Sequence, residues 1–211
     1  MRKRDALGII INGTTNIFET GQDRKVAAIR ISVCVYPFYI LRINQNKRDT
    51  MIRDEEYFMR QAIREAQKAE QKEEVPIGAI IVLENKIIAR GHNLREKKQL
   101  SLAHAEIEAI NKACRKMKSW RLENCDLYVT LEPCPMCAGA ILQSRIRKVI
   151  FGAYDPKGGS TGSCFNLYQI PGFNHYPLVS GGVLEEECAQ LLKEFFRKKR
   201  EKRKENKKEF E

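Results

Sequence analysis

Apolar positions recur at Phe58, Ala62, Ile63, Ala66 and Ala69, a spacing that predicts an amphipathic helix with Asp54 as its N-cap. Glu74-Val75-Pro76 stops that helix. The run over residues 77–83 is continuously apolar and largely β-branched, so it reads as a buried strand. Glu84-Asn85-Lys86 supplies a turn, and residues 87–90 return as the hairpin partner. Gly91-His92-Asn93 then leaves the sheet for a polar loop over residues 94–102. A second helix, from Ala105 to about Lys118, is expected to bury Ile107, Ile110, Cys114 and Met117. Residues 127–131 read as a strand, 135–144 as a helix and 148–154 as a further strand. Asp155-Pro156-Lys157-Gly158-Gly159 has turn chemistry, and residues 158–182 carry no regular period. A last helix begins near Leu184 and runs through Cys188, Leu191, Leu192, Phe195 and Phe196. A hairpin followed by alternating helix and strand predicts an α/β fold, a three-layer α/β/α sandwich over a central mixed sheet of about five strands.

Residues 1–50 fit this pattern poorly. Met1-Arg2-Lys3-Arg4 could open a targeting segment, but Asp5 and Asn12-Gly13-Thr14-Thr15-Asn16 interrupt any apolar region. The apolar stretch over residues 29–43 holds Arg30, Pro37 and Arg42, which limits it to a strand or two. The expectation is that Met51 is the natural initiator and residues 1–50 come from a wrongly chosen upstream start, with a real N-terminal appendage as the alternative. Residues 51–192 then form the main domain, and residues 193–211 the basic end of the last helix and a tail.

Charge sharpens this division. The net charge of the 211-residue chain is +11, yet residues 1–50 hold 9 basic and 4 acidic side chains and residues 193–211 hold 10 and 5. The centre, at 19 against 18, is balanced. A basic C-terminal stretch suits phosphate contact, with a solvated helix end as the plain alternative. The 7 Cys are an odd number without the spacing of a small secreted scaffold, which favours reduced thiols in the cytoplasm over disulfides. No run approaches the roughly 18 apolar residues that would span a bilayer.

The chemistry concentrates at His104-Ala105-Glu106 and Pro133-Cys134-Pro135-Met136-Cys137. Zinc enzymes that activate water use three protein ligands and keep a fourth position open. His104, Cys134 and Cys137 make three. A helix N-terminus lowers thiolate pKa and stabilises the anionic sulfurs. Glu106 is two residues from His104 and is better used as a proton carrier beside zinc-activated water. Attack at an amidine-like carbon with loss of ammonia needs those proton movements, so the residues point to hydrolytic deamination. A structural zinc site would need a fourth ligand from Cys125, Cys164, His92 or His175, none in paired spacing. A redox Cys pair would leave His104 and Glu106 without a purpose.

These motifs resemble the bacterial tRNA-specific adenosine deaminases of the zinc-dependent cytidine deaminase superfamily. The H-x-E and P-C-x-x-C signature defines that superfamily. Further matching stretches are Glu74 to Ala79, Gly91-His92-Asn93, Ser144-Arg145-Ile146, Phe151-Gly152-Ala153, Asp155, Lys157-Gly158, Pro171 to His175 and Phe195-Phe196-Arg197. The resemblance implies a hydrolase acting on cyclic amidines, which converts adenosine to inosine at the wobble position of a tRNA anticodon, chiefly of the arginine tRNA. It implies a homodimer with one zinc ion per subunit. It also carries Asn93 and the Ala105 backbone into base recognition and sets Asp155, Lys157, Phe195 and Phe196 near the flanking nucleotides. Aromatics beside Arg197 to Arg200 suit stacking on splayed bases, with inward packing of both as the plain alternative and, beside Leu191 and Leu192, of one of them as the expectation. Where the family usually has Asp or Asn four residues before the zinc His, this chain has Leu100.

The nearest rival is a guanine deaminase, which shares Pro-Cys-Pro-Met-Cys but acts on a free base. A riboflavin-pathway deaminase normally spaces its Cys ligands farther apart. An inactive RNA-binding subunit would have no need of Glu106.

Overall fold

The computed structural model describes residues 53–208, so the expectations placed on residues 1–50 and on Met51 lie outside the described residues. Helix α1 (Glu55–Glu70) opens where Asp54 Oδ1 accepts the Tyr57 N–H at 2.8 Å. Its predicted apolar stripe is buried, and Met59 joins it. Strands β1 (Gly78–Leu83) and β2 (Lys86–His92) form the hairpin. β2 runs two residues past the expected Arg90 because His92 pairs with Gly78 across the ladder. The polar loop that follows contains a one-turn helix, α2 (Arg95–Lys98).

Helix α3 (Ala105–Met117), strand β3 (Cys125–Leu131), helix α4 (Pro135–Gln143) and strand β4 (Lys148–Ala153) come next. Residues 158–182, expected to be irregular, hold a 3-10 turn (Leu167–Gln169) and strand β5 (Leu178–Ser180). With three residues at a sheet edge, β5 is too short to leave a period in the sequence. Helix α5 (Glu185–Lys208) closes the described chain.

The sheet order is β2-β1-β3-β4-β5, antiparallel across β2, β1 and β3 and parallel from β3 to β5. Successive strand residues face opposite sides, so the sheet builds two cores. Ala79, Ile81, Leu127, Val129, Val149 and Phe151 pack with α3 and α4. Ile80, Val82, Tyr128 and Ile150 pack with α1 and α5 on the other side. This is the three-layer sandwich with a mixed five-stranded sheet.

The buried stripe of α3 differs from the expected one. Ala105, Ala109, Ile110 and Ala113 face the sheet, Ile107 and Cys114 are half-buried, and Met117 is 40% exposed. Gly91 explains the difference, because a Cβ added there would lie 2.2 Å from the Ala105 carbonyl oxygen and 2.6 Å from the Ala109 nitrogen. The helix rides so close to β2 that only alanine-sized side chains fit between them, and the larger residues are turned to its flanks. On the opposite side of the sheet, buried Glu65 of α1 accepts from Lys68 at 2.7 Å and from His92 of β2 at 3.2 Å. Burial alone would raise its pKa, but these two partners outweigh that and hold it at about 2.

Gly91→Ala should therefore lower stability by about 1–3 kcal/mol, read as a lower denaturant midpoint at unchanged slope. An unchanged midpoint would mean that α3 can lift off the sheet freely.

Candidate active site

Two helix starts meet at the sheet's end. His104 is the N-cap residue of α3 and Cys134 that of α4, both with extended backbone, and Pro135 occupies the first turn of α4. Proline is tolerated there because its missing N–H would have had no helical acceptor. His104 Nδ1 lies 3.7 Å from Cys134 Sγ and 3.6 Å from Cys137 Sγ. All three ligand atoms fall within 4.8 Å of one another, and among the described residues this is the cluster that could hold a metal. A tetrahedral ion with Zn–N near 2.05 Å and Zn–S near 2.3 Å would set nitrogen and sulfur about 3.6 Å apart. The donor set therefore fits zinc in both spacing and chemistry. Cys125, Cys164, His92 and His175 are not part of the cluster. His175 Nε2 instead meets the Ile146 carbonyl at 2.6 Å, tying its loop to the connection between α4 and β4.

The electrostatics suit a cation. Hydrogen bonds from Cys137 and, against burial, from His104 hold the Cys134 thiol down at about 4. The same contact with Cys134, together with burial, pushes the Cys137 thiol up. Glu106, 4% exposed, faces the Cys137 thiol, and burial chiefly raises its pKa.

Asn93 is buried at the end of β2. Its Nδ2 donates to Glu74 Oε2 at 3.3 Å, and Glu74 also accepts the backbone N–H groups of Glu96 at 3.2 Å and Lys97 at 2.7 Å. One carboxylate thus holds Asn93 and the start of α2 together. Around Leu100, which is 56% exposed, backbone bonds shape the loop: Leu100 N–H to Arg95 O at 3.2 Å and Ala103 N–H to Leu100 O at 3.1 Å. The turn forms without the side-chain acceptor that Asp or Asn would offer.

Asp155, Lys157 and Phe196 share a groove of about 790 Å³ with Tyr154, Lys193 and Arg200. Phe195 is not brought into this groove. It is 8% exposed on the inward face of α5, seven residues after buried Cys188, and packs edge-on against Phe196 at 5.4 Å between ring centroids. Two turns of helix return a residue to nearly the same face, whereas Phe196 is turned about 100° away.

Two residues went unnoticed in the sequence, Glu74 as a support and Glu132. Buried Glu132 accepts from the Asp155 N–H at 3.1 Å, the Thr161 N–H at 3.0 Å, the Thr161 hydroxyl at 3.1 Å, the Ser163 N–H at 3.0 Å and the Ser163 hydroxyl. Burial would raise its pKa, but these donors outweigh it and hold the carboxyl below its usual range. The next residue joins in, as the Pro133 carbonyl accepts from the Ser160 N–H at 2.9 Å and its hydroxyl at 2.8 Å. The loop that carries Asp155 and Lys157 is thereby stitched to the residues just before Cys134. A carboxylate closing an apolar strand was the available signal.

Fold and site together define a deaminase with the cytidine deaminase-like architecture. A family model of MafB19-like deaminases matches residues 53–200. The chain is 58% identical over 150 residues to the tRNA-specific adenosine deaminase of Bacillus subtilis (strain 168), covering 71% of this chain and 93% of that protein. It is 50% identical over 151 residues to the protein of the same name from Aquifex aeolicus (strain VF5), covering 69% and 95%. A solved structure from a study of A-to-I editing by tRNA:A34 deaminases at the wobble position of transfer RNA superposes with a TM-score of 0.63 at 46% identity, covering 64% of this chain and 99% of that one. The chain belongs to the MafB19-like deaminases and, among them, to the family of tRNA-specific adenosine deaminases.

Glu132→Gln should lower stability by about 1–3 kcal/mol, because an amide cannot accept from all five donors. Amide exchange should rise at Asp155, Thr161 and Ser163 but not along α4. Since the native pKa of Glu132 is depressed, its contribution is present above the ordinary carboxylate value and lost as the pH falls through the native one. The gap between wild type and variant should close in acid. Unaltered exchange in the loop would show that it holds itself.

Proposed function

We propose that this protein hydrolyses adenosine to inosine at the wobble position of a tRNA anticodon, that of the arginine tRNA in the first instance. One observation carries the choice of substrate. A nitrogen and sulfur donor set with a buried carboxylate is hydrogen bonded, through Glu132 and Pro133, to a loop that lines a groove with Lys157, Phe196 and Arg200. A free base such as guanine needs no groove with cations and an aromatic ring outside its pocket. A nucleotide flanked by others does, since its neighbours offer phosphates and faces for stacking.

In this reading His104, Cys134 and Cys137 hold one zinc ion, which when bound supplies the electrophile that activates water. Glu106 takes a proton from the attacking water and passes it to the ring nitrogen, then assists departure of ammonia as the C6–N bond breaks. Its burial keeps the carrier out of bulk solvent. Glu74 can only accept, so it fixes the Asn93 amide with Nδ2 turned inward and leaves Oδ1 to accept from the base. Ala105, as the first residue of α3, has an N–H without a helical acceptor and can donate to the same base. Asp155, Lys157 and Phe196 hold the flanking nucleotides, and Phe195 acts through packing beneath them.

The family resemblance supports a homodimer, as does the exposure of Phe165, Ile170, Phe173 and Tyr176 in the stretch after the binding loop. Among the described residues no helix is long and apolar enough to cross a membrane. The thiols that the site requires suit the reducing cytoplasm.

Purified protein should form inosine from an anticodon hairpin carrying wobble adenosine while leaving free guanine and cytidine untouched. Turnover of guanine would move the assignment to a free-base enzyme. Glu106→Ala should keep its zinc content yet lose at least about 10²–10⁴-fold in rate, and full activity in that variant would remove Glu106 from the chemistry.

A further inference from the structure

Helix α5 carries cations on two flanks, and carboxylates answer only one of them. On the first, Lys198 Nζ meets Glu70 Oε1 at 3.0 Å and Lys202 Nζ meets Glu73 Oε1 at 3.0 Å, while Lys199 lies 5.6 Å from the Phe195 ring centroid. These contacts lay the second half of α5 along the end of α1. With 3.6 residues per turn, Lys193, Phe196, Arg200, Arg203 and Lys204 fall together on the other flank, within about 100° of arc. All five are exposed. Among the described residues none of their four cations has a carboxylate within ion-pair distance, whereas Arg197, between the flanks, is paired with Glu201 at 3.1 Å.

The uncompensated flank begins inside the groove already described, where Lys193, Phe196 and Arg200 face Asp155 and Lys157. It then leaves the groove. Arg203 and Lys204 lie one turn farther along the axis, past residue 200, where the family match ends. From Lys193 to Lys204 the strip is about 17 Å long at 1.5 Å per residue. Beyond Arg200, among the described residues, it has no aromatic ring to stack on a base. What remains is a rigid row of positive charge.

We propose that Arg203 and Lys204 dock the phosphate backbone of the RNA duplex adjoining the loop that holds the target adenosine. The strip would then hold the loop with its first half and the anticodon stem with its second. This rests on the tRNA reading above. Duplex RNA is the partner that fits, because it presents closely spaced phosphates and is gripped through its backbone and shape rather than through base edges.

The test uses the full chain and two hairpins with the same wobble-adenosine loop, one on a full-length anticodon stem and one closed by a minimal stem. Wild type should show a higher kcat/KM on the long-stemmed hairpin, with the advantage shrinking as salt rises. Arg203→Gln/Lys204→Gln should reduce that preference several-fold and lower the salt slope for the long-stemmed hairpin by about 1–2. Lys198→Gln/Lys202→Gln, which removes equal charge from the ion-paired flank, should lower the melting temperature slightly and keep the preference. Equal losses on both hairpins, no loss on either, or the same loss in both double variants would overturn the proposal and leave the strip a solvated helix end or a nonspecific anion trap. Failure of wild type to form inosine from either hairpin would instead overturn the tRNA reading, so the two failures are distinguishable.

Discussion

A site made from two helix starts exists only if those starts can come within a few ångströms of each other, and in this protein that depends on how closely α3 lies on β2. The missing Cβ of Gly91 and the row Ala105, Ala109 and Ala113 let the helix down onto the strand. His104 sits at the end of that helix, so its height above the sheet decides whether Nδ1 reaches the two sulfurs carried by α4. Small side chains, which contribute little hydrophobic burial, here set the geometry that the larger ones then hold. Ile81, Leu127, Val129 and Ile141 supply the burial that keeps the arrangement closed.

Buried carboxylates organise the polar half of the molecule. Glu65 joins α1 to β2, Glu74 joins Asn93 to α2, and Glu132 joins the approach to Cys134 with the loop from Asp155 to Ser163. A buried carboxylate is costly unless it is paired or hydrogen-bonded, and each of these meets two or more donors. They convert loops, which have little packing of their own, into parts with fixed positions. Among the described residues no buried side-chain polar atom lacks a partner.

Much of this was legible in the sequence because it is written in local periods. The stripe Phe58 to Ala69, the hairpin around Glu84-Asn85 and the Asp54 cap are properties of neighbours in the chain, and the structure keeps them. The burial of α3 was misread because the identity of its facing residues is decided by a glycine on another element, far away in sequence. Strand β5 escaped notice because pairing with β4, rather than any pattern of its own, makes it a strand. The separation of Phe195 from Phe196 was open at the sequence level and was resolved by phase, since Cys188 fixes which side of α5 faces inward. The donor set His104, Cys134 and Cys137 could be named from spacing, but their mutual approach is a property of the packed sandwich.

The bond between Glu74 and Asn93 has a thermodynamic side. An asparagine free to rotate would lose its rotamer entropy each time a ligand entered, and that loss would weaken every binding event. Here the amide is immobilised when the chain folds, so the ordering cost falls once, on folding, and not on each encounter. The carboxylate that does this is not part of the His104, Cys134 and Cys137 cluster, and it comes from the connection between α1 and β1. That connection, remote in sequence from His104, Cys134 and Cys137, thereby fixes the Asn93 side chain before anything has bound.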